Sequence, residues 1–318
     1  MSCTAVLAGD GPVRHVSAEE AAAYRGPGFV WIHIEGADED SLALINAHNG
    51  IPEVAAHALV ATETRPRCDM IDDGALINLR GPAEIETDDS DRLVSIRLWA
   101  REGRVHSVAR RRLGATKAVA AQMEAGAILD PGDLVAAFAR AISKELDPQV
   151  ADLGDDLDDC ETQLEPHNVY RLRTRIARIR SQAIAFRRFV SPDRDALVTL
   201  ANLEFKWLAE EDRVHIREAA DRFARMTEEL EAVRERAALL HEQITDLRGE
   251  LIEGRALLIS IVALIFLPLT FITGLFGMNV QDIPIAEVDH AFWYITAFCV
   301  FVSLLIAAYF IWKRWLSR

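Results

Sequence analysis

LLISIVALIFLPLTFITGLFGMN, residues 257–279, decides how the chain is organised. Leu257 to Phe276 runs 20 residues without a charge, and Ala291 to Trp312 runs another 22. At 1.5 Å per residue, either helix is long enough for a hydrocarbon core of about 30 Å. A buried core helix would satisfy the same count once. Two such runs separated by only 14 residues, 277–290, point to an integral membrane protein. The first run then ends on a small residue, a thioether and an uncharged amide, Gly277, Met278 and Asn279. Glycine there is an ordinary helix stop, so the tripeptide acquires meaning only from its surroundings.

Those surroundings set an orientation. Arg248 and Arg255 precede the first span, Lys313, Arg314 and Arg318 follow the second, and 277–290 has no Lys or Arg. Positive charge stays inside, so both termini are expected in the cytoplasm and the connecting loop outside, in a multi-pass membrane protein. MSCTAVLAGDGPVRH lacks a basic start followed by an apolar core, so no signal peptide is expected. Four scattered cysteines without a CxxC argue against a thiolate zinc cage. A formal charge of −14 disfavours nucleic acid as a partner and suits a handler of cations, or simply a solvated acidic surface.

Upstream, residues 1–114 mix short apolar segments with helical ones. VRHV (13–16), FVWIHI (29–34), ALINLR (75–80), LVSIRLW (93–99) and VHSVA (105–109) read as strands. SAEEAAAY (17–24), EDSLALINAH (39–48) and PEVAAHALV (52–60) read as helices, the first with a Ser cap and Glu three residues on. This is the pattern of a small α/β sandwich. Residues 115–212 are helical and split by sign. Glu145 to Glu165 holds nine acids and no base, whereas Pro166 to Val190 holds seven arginines and no acid. The pattern predicts an antiparallel helix hairpin; the acidic arm could instead gather divalent cations.

Next comes a heptad stripe, Ile216, Ala219, Phe223, Met226, Leu230, Val233, Ala237, Leu240, Ile244, Leu247 and Leu251. It predicts a long stalk helix, 213–256, continuous with the first span, 257–276. On that span Ala256, Ser260, Ala263, Leu267, Thr270 and Gly274 fall on one narrow face at spacings of 4 and 3. Small residues let membrane helices pack closely. Around a symmetry axis the same residues would line a pore, with Leu267 as its apolar constriction. Extended backward, the face meets Glu253, Asp246, Glu242 and Glu235, an acidic track along the stalk. At the far end a ring of Asn279 amides could hold the water shell of a cation without stripping it, behind the acids Asp282, Glu287 and Asp289 of the loop 277–290. The second span is 291–312 and the basic tail 313–318.

The two C-terminal spans, Gly277-Met278-Asn279 and the tail Lys313-Arg314-Trp315-Leu316 resemble the CorA superfamily of divalent-cation transporters. Thr62 to Arg67 (TETRPR) and Thr273 to Pro284 are most similar to its ZntB branch of zinc transporters. That resemblance implies a funnel-shaped homopentamer, a pore lined by the first span with Gly277, Met278 and Asn279 at its mouth, and Zn²⁺ transport coupled to protons. Mg²⁺, Co²⁺ and Ni²⁺ are the other candidate ions, since Met278 is the magnesium-type residue where the branch often has a small aliphatic one. A magnesium/cobalt channel of the same architecture is the nearest alternative, and a membrane-tethered coiled-coil scaffold a more distant one. No P-loop, dinucleotide fingerprint, nucleophile elbow or metalloprotease pair points to an enzyme, no cofactor is expected, and no resident metal ligands stand out.

Overall fold

The computed structural model describes residues 2–9, 11–36, 45, 50–62, 65–84, 93–278 and 289–316. They divide into two compact units, 1–164 with 170–241, and 165–169 with 242–318.

The first unit is built on a seven-stranded sheet. Its strands are β1 (Ser2–Ala8), β2 (Arg14–Val16), β3 (Phe29–Glu35), β4 (Arg67–Ile71), β5 (Gly74–Pro82), β6 (Leu93–Arg101) and β7 (Arg104–Ala109). Their order is β2-β1-β3-β7-β6-β5-β4. Every neighbouring pair is antiparallel except β3 and β7, which run parallel with Val30 opposite Arg104 and Ile34 opposite Val108. Gly103, at φ +72, takes the left-handed position in the tight β6–β7 turn, where glycine has no Cβ to clash.

Helices cover both faces, which is why β3 does not alternate. Val30, Ile32 and Ile34 join the core under α1 (Ala18–Ala23) and α2 (Glu53–Val60), with Ala21, Ala55 and Leu59. Trp31, from the opposite face, meets Phe138 of α4 (Pro131–Thr162) edge-on at 5.9 Å. The Ser17 hydroxyl accepts from the Glu20 amide at 3.1 Å, fixing the start of α1 as its sequence predicts. Two strands escape the sequence reading. In β1, Ala5 to Ala8 are buried because β2 and β3 flank them, not because SCTAVLA is strand-rich. Edge strand β4, RCDMI, buries only Cys68 and is defined by its ladder to β5. The expected helix at 39–48 lies outside the described residues apart from Ile45, which is helical and buried.

After α3 (Gly114–Glu124) the unit is helical. α4 is followed by α5 (Val169–Asn202), and charge runs between them as the sequence pattern predicts. Arg175 of α5 donates to Asp156 at 2.5 Å and to Asp159 at 3.4 Å. Asp193 of α5 is completely buried and accepts the Arg80 amide of β5 at 3.0 Å, tying that helix to the sheet. Burial pushes the Asp193 carboxyl well above the ordinary carboxylate range.

Helix α6 spans Glu210–Phe276 and α7 spans Ala291–Leu316. In the first unit the α6 stripe from Ile216 to Leu240 is buried throughout. Arg236 reaches across to Asp158 and Glu161 of α4, and Glu231 takes Arg187 of α5 at 2.9 Å. The acids of α4 that contact Arg175 and Arg236 therefore hold a three-helix arrangement together. Each exposed pair contributes at most about 1 kcal/mol, so apolar burial supplies the stability and charge fixes the register.

Candidate functional site

In the second unit, the apolar windows of α6 and α7 are long enough to cross a membrane and are not buried within the chain. A core helix of a water-soluble fold would be covered by its own chain. Here Leu267 is 74% exposed, and Phe266, Phe271 and Phe301 are exposed too.

Exposure is nonetheless not uniform around α6. Ile261, Ile265, Pro268, Leu269, Ile272 and Phe276 are half-covered. On α7 the half-covered residues include Ile295, Cys299, Val302, Ile306 and Phe310. Both helices line one groove of about 480 Å³, with Thr273, Phe276 and Gly277 on one side and Phe292, Ile295, Thr296 and Cys299 on the other. This is the face through which α6 meets α7. Ala256, Ser260, Ala263, Leu267, Thr270 and Gly274 are all exposed, and they lie on the other side. Taking 3.6 residues per turn, the two faces are roughly 170° apart. The small-residue stripe is therefore not the packing face for the chain's own second helix. Ala263, Leu267 and Thr270, with Phe266 and Phe271, instead line an open groove of about 410 Å³.

The stripe's hydroxyls have a definite polarity. Ser260 donates to the Ala256 carbonyl at 2.9 Å, and Thr270 donates to the Phe266 carbonyl at 2.8 Å. With its proton committed to the helix, each oxygen presents only lone pairs outward. Such oxygens accept from the water shell of a cation and offer nothing to an anion. No spacing rule shows this direction; it depends on the rotamer.

The end of the helix differs from a glycine cap. The Gly277 amide donates to Thr273 at 2.9 Å and to Gly274 at 3.2 Å, yet Gly277 does not adopt a positive φ. Its value lies in close approach: a Cβ there would sit 3.1 Å from the Thr273 carbonyl oxygen. Met278 is exposed beside it. Asn279, Asp282 and Glu287 lie outside the described residues. Asp289 is exposed in the turn before α7, next to His290, whose carbonyl accepts the Trp293 amide at 2.9 Å.

The acids of the stalk track, Glu235, Glu242, Asp246 and Glu253, are all exposed, and Glu235 lies 4.0 Å from Arg234. Two features were not singled out from the sequence. Cys299 lines the α6–α7 groove, where its place depends on the pairing of two separate helices. Asp130, Asp133 and Asp212 bring their carboxylates within 4.8 Å of one another, although 79 positions separate the last two.

Comparison with known proteins places this geometry. The family model described as "CorA-like Mg2+ transporter protein" matches residues 26–314. The zinc transport protein ZntB of Pectobacterium carotovorum subsp. carotovorum (strain PC1) is 29% identical over 290 residues, covering 90% of this chain and 88% of that one. Among solved structures, full-length CmaX is 28% identical with a TM-score of 0.76, covering 99% of this chain and 97% of its own. The CorA magnesium transporter of Methanocaldococcus jannaschii superposes with a TM-score of 0.80 at 16% identity, over 98% and 97% of the two chains, a likeness of fold.

Proposed function

Since the chain belongs to the CorA-like family of divalent-cation transporters, we propose that it carries Zn²⁺ across the inner membrane as a homopentamer, with α6 lining the path. The observation that carries this reading is the exposed stripe Ala256, Ser260, Ala263, Leu267, Thr270 and Gly274, which faces away from α7 and turns hydroxyl lone pairs outward. Copies arranged about an axis would bring the stripes together. Ser260 and Thr270 would accept hydrogen bonds from the shell of a passing ion, and Leu267 would form the apolar constriction.

At the mouth, Gly277, Met278 and Asn279 would form the selectivity ring. A neutral amide holds a hydrated ion for a short time, as conduction requires, whereas a carboxylate would retain it. Asp282, Glu287 and Asp289 would raise the local cation concentration, and Glu235, Glu242, Asp246 and Glu253 would do so along the stalk. Both termini would face the cytoplasm, because the basic residues flank the spans and the connecting loop has none.

Zinc as cargo is favoured by the likeness to zinc transport proteins along most of the chain. Magnesium or cobalt is the second reading, and Met278 at the mouth is the residue that favours it. The test is uptake into proteoliposomes of Zn²⁺, Mg²⁺ and Co²⁺ under an imposed pH gradient. Zinc flux that responds to the gradient is the expected result; magnesium flux indifferent to it would replace zinc by the second reading.

A further inference from the structure

The ladder from β4 to β5 stops at Asn78, and two residues further on the Arg80 amide meets a side chain in place of a strand. Its acceptor is Asp193 Oδ1 of α5, at 3.0 Å. Asp193 is 0% exposed, and its other oxygen, Oδ2, has no hydrogen-bond partner among the described residues. Among those residues the charge acting on Asp193 is Arg80 of β5, and none from β6, α4 or α6 does. On its own helix Arg194 pairs with Asp195 at 2.7 Å, and Arg188 Cζ lies 5.4 Å from the centre of the Phe189 ring.

Arg80 comes near this carboxyl without pairing with it. Its guanidinium carbon sits 3.9 Å from the centre of the Phe189 ring, one helical turn before Asp193, and the side chain donates to the Leu93 carbonyl at 2.9 Å. The aromatic face attracts the cation, so the guanidinium has one seat on Phe189 and a second within reach on Asp193. A carboxylate taken fully out of water with a single hydrogen bond is strongly disfavoured, and such a group neutralises itself by holding a proton. Burial therefore raises the Asp193 carboxyl, and Arg80 opposes that only in part.

We propose that Asp193 is a buried proton-binding site whose occupancy sets the seat of Arg80. With the proton bound, the guanidinium rests on Phe189; with the proton released to solvent, it swings to the Asp193 carboxylate and ties α5 to β5 by charge. In the unfolded chain Asp193 ionises near its ordinary 3.8, whereas the folded protein keeps the proton to higher pH. The stability that Asp193 contributes is therefore greatest below about pH 4. It falls as pH rises from there through the folded pKa and is level above it. The site stands independently of which ion the protein carries.

Infrared spectroscopy of the full-length protein in detergent, titrated between about pH 5 and pH 9, tests this. The unsubstituted protein should show the C=O stretch of a protonated carboxyl, shifted in D2O and fading as pH rises. Asp193→Asn keeps an acceptor for the Arg80 amide and should lose that component. Asp212, raised to about 7, contributes a component common to all the proteins, which cancels in difference spectra. Phe189→Leu removes the aromatic seat and should shift the midpoint of fading to lower pH, because Arg80 then favours the carboxylate. That variant also keeps the proposal testable should Asp193→Asn fold poorly. Identical spectra for the unsubstituted protein and Asp193→Asn, a component that persists undiminished across the titration, or a midpoint unmoved in Phe189→Leu would overturn the proposal.

Discussion

The unit around the sheet and the unit holding the two apolar helices both carry large apolar side chains, and they treat them in opposite ways. Trp99 is 1% exposed and Phe138 is fully buried, whereas Leu267 is 74% exposed. The first unit completes its core within one chain. The second presents the same chemistry outward, along helices that water cannot favour. Apolar residues in the first unit therefore report on folding. Those in the second report on what surrounds the chain, which under the proposed function is lipid on most faces and other copies on the stripe of small residues.

Three substitutions test that division. Asn279→Ala should have the largest effect on transport, abolishing zinc uptake into proteoliposomes while the elution volume of the purified assembly stays that of the parent. Undiminished flux would remove Asn279 from the mouth. Phe138→Ala should act on folding instead, costing about 3–5 kcal/mol in denaturant unfolding of the full-length protein, the usual range for a deleted core ring. Leu267→Ala should have the smallest effect on stability, within about 0.5 kcal/mol as for an exposed position, while raising the leak of ions through a widened constriction. If Leu267→Ala proves as destabilising as Phe138→Ala, that side chain is a packing residue and the division between the units fails.

How far the sequence could be read follows the same division. The α6 stripe was legible because a helix repeats its buried positions every 3 or 4 residues, and Ile216 to Leu240 obey that rule without interruption. The face of small residues was legible for the same reason. Ser260 and Thr270 could be placed on it, but the direction of their hydroxyls could not, because a rotamer carries no periodicity. Strand β3 was found because it is apolar on both faces; β4 was missed because Arg67 and Asp69 pair on an exposed edge and the segment lacks an apolar stripe. The meeting of Asp130, Asp133 and Asp212 was invisible for a different reason: only the fold brings Asp212 against Gly132.

The single parallel pair in the sheet has a kinetic consequence. β2-β1-β3 and β7-β6-β5-β4 are each antiparallel, joined along the chain by near neighbours, and each can zip locally. The seam between them, Val30 against Arg104, must close a loop of about 74 residues before any ladder bond forms. Distant pairings are slow because the entropy of closure is lost before the contacts return it. The seam should therefore be the last part of the sheet to form, and pulse-labelled amides during refolding should show β5 and β6 protected before β3. Simultaneous protection of all three strands would place the seam inside the folding nucleus instead.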